Sequence, residues 1–140
     1  MVILGSTGSI GEQTLRVASE YPERIRVVGL AANRNLARLQ DQIDSFRPRN
    51  SVIVDESIDA PSPIRHGDDA VIEMVTDPEV DLVVVAVVGA AGLAPTLAAL
   101  GAGKLVALAN KEALVMAGSV IRAQVAGGGS LVPIDSEHSA

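Results

Sequence analysis

Four short strings carry the residues whose types and spacing could do chemistry. They are Gly5-Ser6-Thr7-Gly8-Ser9-Ile10-Gly11, Ala31-Ala32-Asn33-Arg34-Asn35, Asn110-Lys111-Glu112 and Asp135-Ser136-Glu137-His138. The first has GxxGxxG spacing, a variant of the dinucleotide fingerprint. Gly5 allows a tight turn, Gly8 lets a pyrophosphate approach the backbone, and Gly11 lets a helix pack closely on the preceding strand. Free N–H groups and the helix dipole favour an anion there.

About 20 residues beyond such a turn, an NAD site places an acid that accepts from the ribose hydroxyls. Here no acid is present, and Arg34 stands where a 2′-phosphate would lie, which favours NADPH over NADH. The plainer reading is a solvated Arg34 with Asn33 or Asn35 capping the next helix. In Asn110-Lys111-Glu112, a helix N-cap accounts for Asn110 and Glu112, but not for a lysine at the unfavourable end of the dipole. Lys111 is therefore read as facing an anionic or hydroxyl-bearing ligand. In an extended backbone Asp135 and Glu137 point to one side, as a hard divalent cation requires; the alternative is a solvated loop. Gly89-Ala90-Ala91-Gly92 either lets a nicotinamide lie against the backbone or only meets the φ demands of a loop. Gly103-Lys104 lacks the spacing of a P-loop, and Asp135, Ser136 and His138 come without a nucleophile elbow.

These strings must be positioned by the elements around them. Six apolar segments read as strands: Val2–Leu4, Arg26–Ala31, Ser51–Val54, Asp81–Val88, Leu105–Ala109 and Leu131–Ile134. The fourth is apolar on both faces, as in a parallel sheet covered on both sides. Helical spacing joins Ile10, Thr14, Val17 and Ala18, then Leu36, Leu39, Ile43 and Phe46. Val71, Ile72 and Val75 suggest a short helix, Pro95 suits the first turn of another, and Leu114, Val115, Val120, Ile121 and Val125 line a last one before three glycines. The alternation implies an α/β fold, a doubly wound and mostly parallel sheet with helices on both faces. The segment Asp55–Gly67 reads as a surface loop without chemistry.

Composition agrees. The chain has 140 residues, 48% apolar and 20% charged, with a formal net charge of −6. That is one domain with an aliphatic core, since it holds one Phe and one Tyr. Scattered bases in an acidic chain argue against a nucleic-acid partner or a membrane surface. The absence of cysteine excludes disulfides and thiolate sites within these residues. Without a basic leader or a long apolar run, a soluble cytoplasmic protein is expected.

Together the strings GSTGSIG (Gly5–Gly11), VGAAGLAPTLAAL (Val88–Leu100), LANKEAL (Leu108–Leu114) and PIDSEHSA (Pro133–Ala140) resemble 1-deoxy-D-xylulose 5-phosphate reductoisomerases of the non-mevalonate isoprenoid pathway. The resemblance implies an NADPH-dependent enzyme that requires Mg²⁺, Mn²⁺ or Co²⁺. Such an enzyme rearranges the carbon skeleton of a sugar phosphate and reduces the resulting aldehyde to 2-C-methyl-D-erythritol 4-phosphate. It implies that Thr7, Gly8, Ser9 and Ile10 hold NADPH, with Asn33, Arg34 and Asn35 near its 2′-phosphate and Asn110 and Glu112 facing the cofactor. Lys111, Ser136 and Glu137 would contact substrate, and Asp135 and Glu137 would ligate the metal. Many members carry glycine and lysine where Asn33 and Arg34 stand. Residues 1–140 then correspond to the NADPH-binding domain, with 133–140 beginning the metal and substrate site. The catalytic and C-terminal domains lie outside the chain, and a homodimer is possible for the complete enzyme. Two other readings remain: another NADP-linked enzyme, such as a semialdehyde dehydrogenase, and a non-enzymatic dinucleotide-binding sensor.

Overall fold

The computed structural model describes residues 1–134. Among the described residues, seven strands form one all-parallel sheet, interleaved with five α-helices. In chain order these are β1 (Val2–Leu4), α1 (Ser9–Glu20), β2 (Gly29–Ala32), α2 (Leu36–Phe46), β3 (Asn50–Ile53), β4 (Arg65–His66), α3 (Gly67–Thr76), β5 (Leu82–Val85), α4 (Leu93–Gly101), β6 (Leu105–Leu108), α5 (Lys111–Ala126) and β7 (Ser130–Pro133). A 3₁₀ turn, Gly89–Gly92, precedes α4. The strand order is β4-β3-β2-β1-β5-β6-β7. The chain thus winds outward from β1 in one direction, returns to its other side at β5, and winds outward again. Such a reversal opens a crevice at the carboxyl ends of the central strands.

Side chains alternate across the sheet with period two, so the inner strands feed two cores. On one side Val2, Leu4, Val83 and Val85 pack with Met74 of α3, Leu100 of α4 and Ile121 of α5. On the other, Ile3, Leu30, Ile53 and Val84 pack with Leu15 and Ala18 of α1 and Leu39 of α2. This is the doubly wound architecture that apolar strands and intervening helices imply.

Several boundaries move for identifiable reasons. β5 ends at Val85 rather than Val88, because its neighbour β1 stops at Leu4 and turns away at Gly5. Ala86 still donates to the Leu4 carbonyl, but Val88 is 87% exposed. The segment read as a bare loop contains β4, a two-residue strand whose Arg65 and His66 pair with Val52 and Ile53. In α1 the buried stripe is Gly11, Leu15 and Ala18, while Val17 faces solvent. In α5 the buried residues are Ala113 and Ile121; Val115 and Val120 of the expected stripe are exposed. Non-helical backbone at Ala117 breaks the regular 3.6-residue spacing in between. Gly103 and Lys104 do structural work: the buried Lys104 ammonium donates to the Asp77 carbonyl at 2.7 Å.

Candidate functional site

The glycine turn runs directly from β1 into α1 at the centre of the sheet. Gly5 has a φ of +78°, a left-handed conformation that side chains disfavour, and its N–H donates to the Ala31 carbonyl of β2. A Cβ on Gly11 would lie 2.3 Å from the Gly5 carbonyl oxygen and 2.6 Å from Ser6 Cα, so close helix–turn packing demands glycine there. Gly8 is different. Its backbone is ordinary and extended (φ −82°, ψ 177°), and a Cβ would meet only the Gly5 oxygen, at 3.6 Å. Neither conformation nor internal packing explains glycine at the N-cap of α1. The cap carries no side-chain hydrogen bond, so the first-turn N–H groups of α1 are not satisfied by it. A bare N-cap whose missing side chain leaves open space fits a pyrophosphate.

Gly5, Thr7 and Gly8 form one wall of a cavity of about 340 Å³, lined also by Asn33, Val54, Asp68, Ala91 and Pro95 among others. It lies at the carboxyl ends of β1, β2 and β5, where the strand order reverses. Its lining is mostly apolar, with Thr7, Asn33 and Asp68 among the few polar groups, which suits a ring system with a charged tail.

Behind the turn, α2 supplies a polar brace. Gln42, almost fully buried, donates through Nε2 to the Ser6 carbonyl at 2.9 Å and to Glu12 at 3.1 Å. Arg38 grips both Glu12 oxygens, at 2.6 and 2.7 Å. The hydrogen bond from Arg38 holds the Glu12 carboxyl below its ordinary range, and the pair offsets a carboxylate that would otherwise oppose an anion at the α1 N-terminus.

The remaining sequence candidates fall into three groups. Thr7, Gly8 and Asn33 line the cavity, and Ser9 and Ile10 begin α1 beside it. Asn35 caps α2, its Oδ1 accepting from Arg38 N at 3.1 Å. Arg34, largely exposed, forms an ion pair through Nε with Asp55 Oδ2 at 3.1 Å. Asn110, also buried, caps α5 by accepting from Ala113 N, while its Nδ2 donates to the Gly89 carbonyl. Glu112 Oε2 lies 3.6 Å from where a Gly89 Cβ would stand. Asn110 thus ties the start of α5 to the turn after β5. Lys111 opens α5. Ile134 N donates to Leu108 O, which brings the last described residue to the carboxyl end of β6. Asp135, Ser136 and Glu137 lie outside the described residues.

Sequence reasoning missed Asp55, Gln42 and Asp68. Asp55 follows β3, and its backbone N–H donates to the Asn33 carbonyl, bringing the two loops together. An acid after the third apolar segment was a readable signal, since carboxyl-end loops of one sheet share one edge. Asp68 lies in the first turn of α3, behind the strand that was read as loop.

Comparison with known proteins agrees with this architecture. The sequence pattern of the family described as 1-deoxy-D-xylulose 5-phosphate reductoisomerase matches residues 1–118. A curated relative of that name from Nitrosococcus oceani is 49% identical over 152 residues, covering 99% of this chain and 38% of the relative. The solved reductoisomerase from Zymomonas mobilis in complex with NADPH superposes with a TM-score of 0.89 at 40% identity, covering 99% of this chain and 39% of that one. A solved DOX-P reductoisomerase in complex with NADPH, fosmidomycin and magnesium gives 0.88 at 40% identity, covering 99% and 37%. The chain therefore spans under two-fifths of these relatives' length. With its glycine turn, crevice and sheet order all in place and more than half its length matching one family pattern, the chain belongs to the 1-deoxy-D-xylulose 5-phosphate reductoisomerase family.

Proposed function

We propose that residues 1–140 are the NADPH-binding region of an enzyme that converts 1-deoxy-D-xylulose 5-phosphate to 2-C-methyl-D-erythritol 4-phosphate. The observation that carries this reading is Gly8: a helix N-cap kept bare for no internal reason, opening onto the carboxyl-edge cavity. Solved relatives that hold NADPH support it. In this reading the turn from Thr7 to Ile10 receives the pyrophosphate on its N–H groups. Asn33, Arg34 and Asn35 form the adenosine side, where Arg34 brings positive charge to the 2′-phosphate. Asn110, which holds the Gly89 turn, and Glu112 face the nicotinamide side.

When bound, NADPH supplies the hydride that reduces the aldehyde. Lys111, Ser136 and Glu137 contact the sugar phosphate. Asp135 and Glu137 would hold a divalent cation (Mg²⁺, Mn²⁺ or Co²⁺), which would supply the chemistry of a Lewis acid and template. Among the described residues no His, Asp and Glu cluster could hold such an ion, so the metal reading rests on these two carboxylates. The catalytic and C-terminal domains belong to the part of the relatives' length that this chain does not span. This chain alone is accordingly expected to bind cofactor without turnover.

Calorimetric titration with NADPH and NADH tests the reading. Charge-assisted hydrogen bonds contribute about 1.5–3 kcal/mol, so Arg34→Ala should weaken NADPH roughly 10–150-fold and leave NADH nearly unchanged. An equal loss for both cofactors would overturn the 2′-phosphate assignment. Failure of the parent chain to bind NADPH would overturn the reading itself.

A further inference from the structure

The Arg34–Asp55 pair changes what the adenosine side can do. A carboxylate does stand at this edge, supplied by the end of β3 rather than β2. Asp55 is firmly placed: Oδ1 accepts from Ser57 N at 2.9 Å and from Ser57 Oγ at 2.6 Å, and its own N–H donates to the Asn33 carbonyl at 3.0 Å. These anchors leave Oδ2 to meet Arg34 Nε at 3.1 Å. The hydrogen bonds from Ser57, with a smaller contribution from Arg34, hold its carboxyl below the ordinary range, so it stays ionised at neutral pH. Arg34 sits on the exposed side of the contact, at 67% side-chain exposure against 27% for Asp55. The fixed partner is therefore the acid, and the movable partner is the guanidinium.

We propose that Asp55 is a cofactor-specificity determinant: its anchored carboxylate competes with the 2′-phosphate of NADPH for Arg34 and so limits the preference for NADPH over NADH. This rests on the NADPH reading above. One guanidinium charge faces two anions. A 2′-phosphate can take Arg34 fully only by weakening the ion pair, whereas NADH, lacking that phosphate, leaves the pair undisturbed. An exposed ion pair of this type is worth up to about fivefold in an equilibrium constant, which sets the size of the effect.

Asp55→Asn is the informative variant, because its amide oxygen still accepts from Ser57 while the charge is gone. In calorimetric titrations of this chain, the ratio of the NADH to the NADPH dissociation constant should rise about two- to fivefold, with the thermal midpoint near that of the parent. In an Arg34→Ala background the same substitution should move the ratio much less. An unchanged or lower ratio for Asp55→Asn overturns the proposal. So does an equal effect in the Arg34→Ala background, which would mean simple repulsion of the phosphate rather than competition for the arginine. Arg34→Ala alone reads the cofactor assignment, with Asp55 itself unsubstituted. If that variant weakened NADH and NADPH equally, the underlying NADPH reading would fail first, and this proposal with it.

Discussion

The side-chain amide of Gln42 donates to the backbone carbonyl of Ser6 at 2.9 Å, across 36 residues of sequence, and ties α2 to the inside of the glycine turn. The same nitrogen reaches Glu12, so one buried amide links the turn, the first helix and the second. Gln42→Leu keeps similar bulk but leaves the Ser6 carbonyl without this donor in a buried position. Losing a buried partner of this kind costs about 1–3 kcal/mol. Urea denaturation should show that loss, and NADPH affinity should fall with it if the turn receives the pyrophosphate as proposed, because the turn is no longer braced. Unchanged stability would mean the carbonyl is satisfied from another direction.

The glycines of the turn should separate by their reason for being glycine. Gly11→Ala sets a methyl against backbone atoms 2.3 and 2.6 Å away, which cannot move without shifting the helix. Overpacking of that kind costs typically about 1–3 kcal/mol. Gly8→Ala meets one oxygen at 3.6 Å and should leave stability nearly unchanged, yet place a methyl where the pyrophosphate would approach. Thermal midpoints and NADPH titrations on both variants check the contrast. A Gly8→Ala chain that binds NADPH normally would remove the main support for the anion site.

How much of this was legible in the sequence depended on what each residue answers to. β1 and β5 are short runs almost wholly buried near the middle of the sheet, and their side chains alone report that environment. The glycine turn was legible because it sits between a strand and a helix, the one context that gives such spacing meaning. β4 was not, since Arg65 and His66 form an outer strand through backbone pairing with β3, which polar side chains do not reveal. The stripe assigned to α5 held at Leu114 and Ile121 but not at Val115 and Val120, each of which is adjacent to one of them and faces solvent. Arg34 could be singled out by its type and distance from the glycine turn, but its pairing with Asp55 spans two loops brought together only by the sheet. Interactions between loops of adjacent strands leave no period in the sequence.

The Glu12–Arg38 pair carries a pH dependence whose sign can be worked out. The carboxyl of Glu12 has an ordinary value of 4.5, and the hydrogen bond from Arg38, more than any other contact, lowers it in the folded chain. A group whose folded pKa is depressed binds protons more weakly folded than unfolded, so it stabilises the fold above its ordinary value and stops doing so as pH falls through the folded one. Glu12→Gln removes the ionisation but keeps an acceptor for Gln42. At pH 7 the parent should have the higher urea midpoint. The gap should hold down to about pH 4.5, then close as the pH is lowered further. Raising the salt at pH 7 should also narrow it, because a surface pair is screened by ions and contributes little once screened. Urea titrations of both chains at pH 7, 5 and 3 read the gap directly. A gap that stayed constant across that range would show that Glu12 acts through packing or neutral hydrogen bonding, and that its charge has no part in bracing the glycine turn.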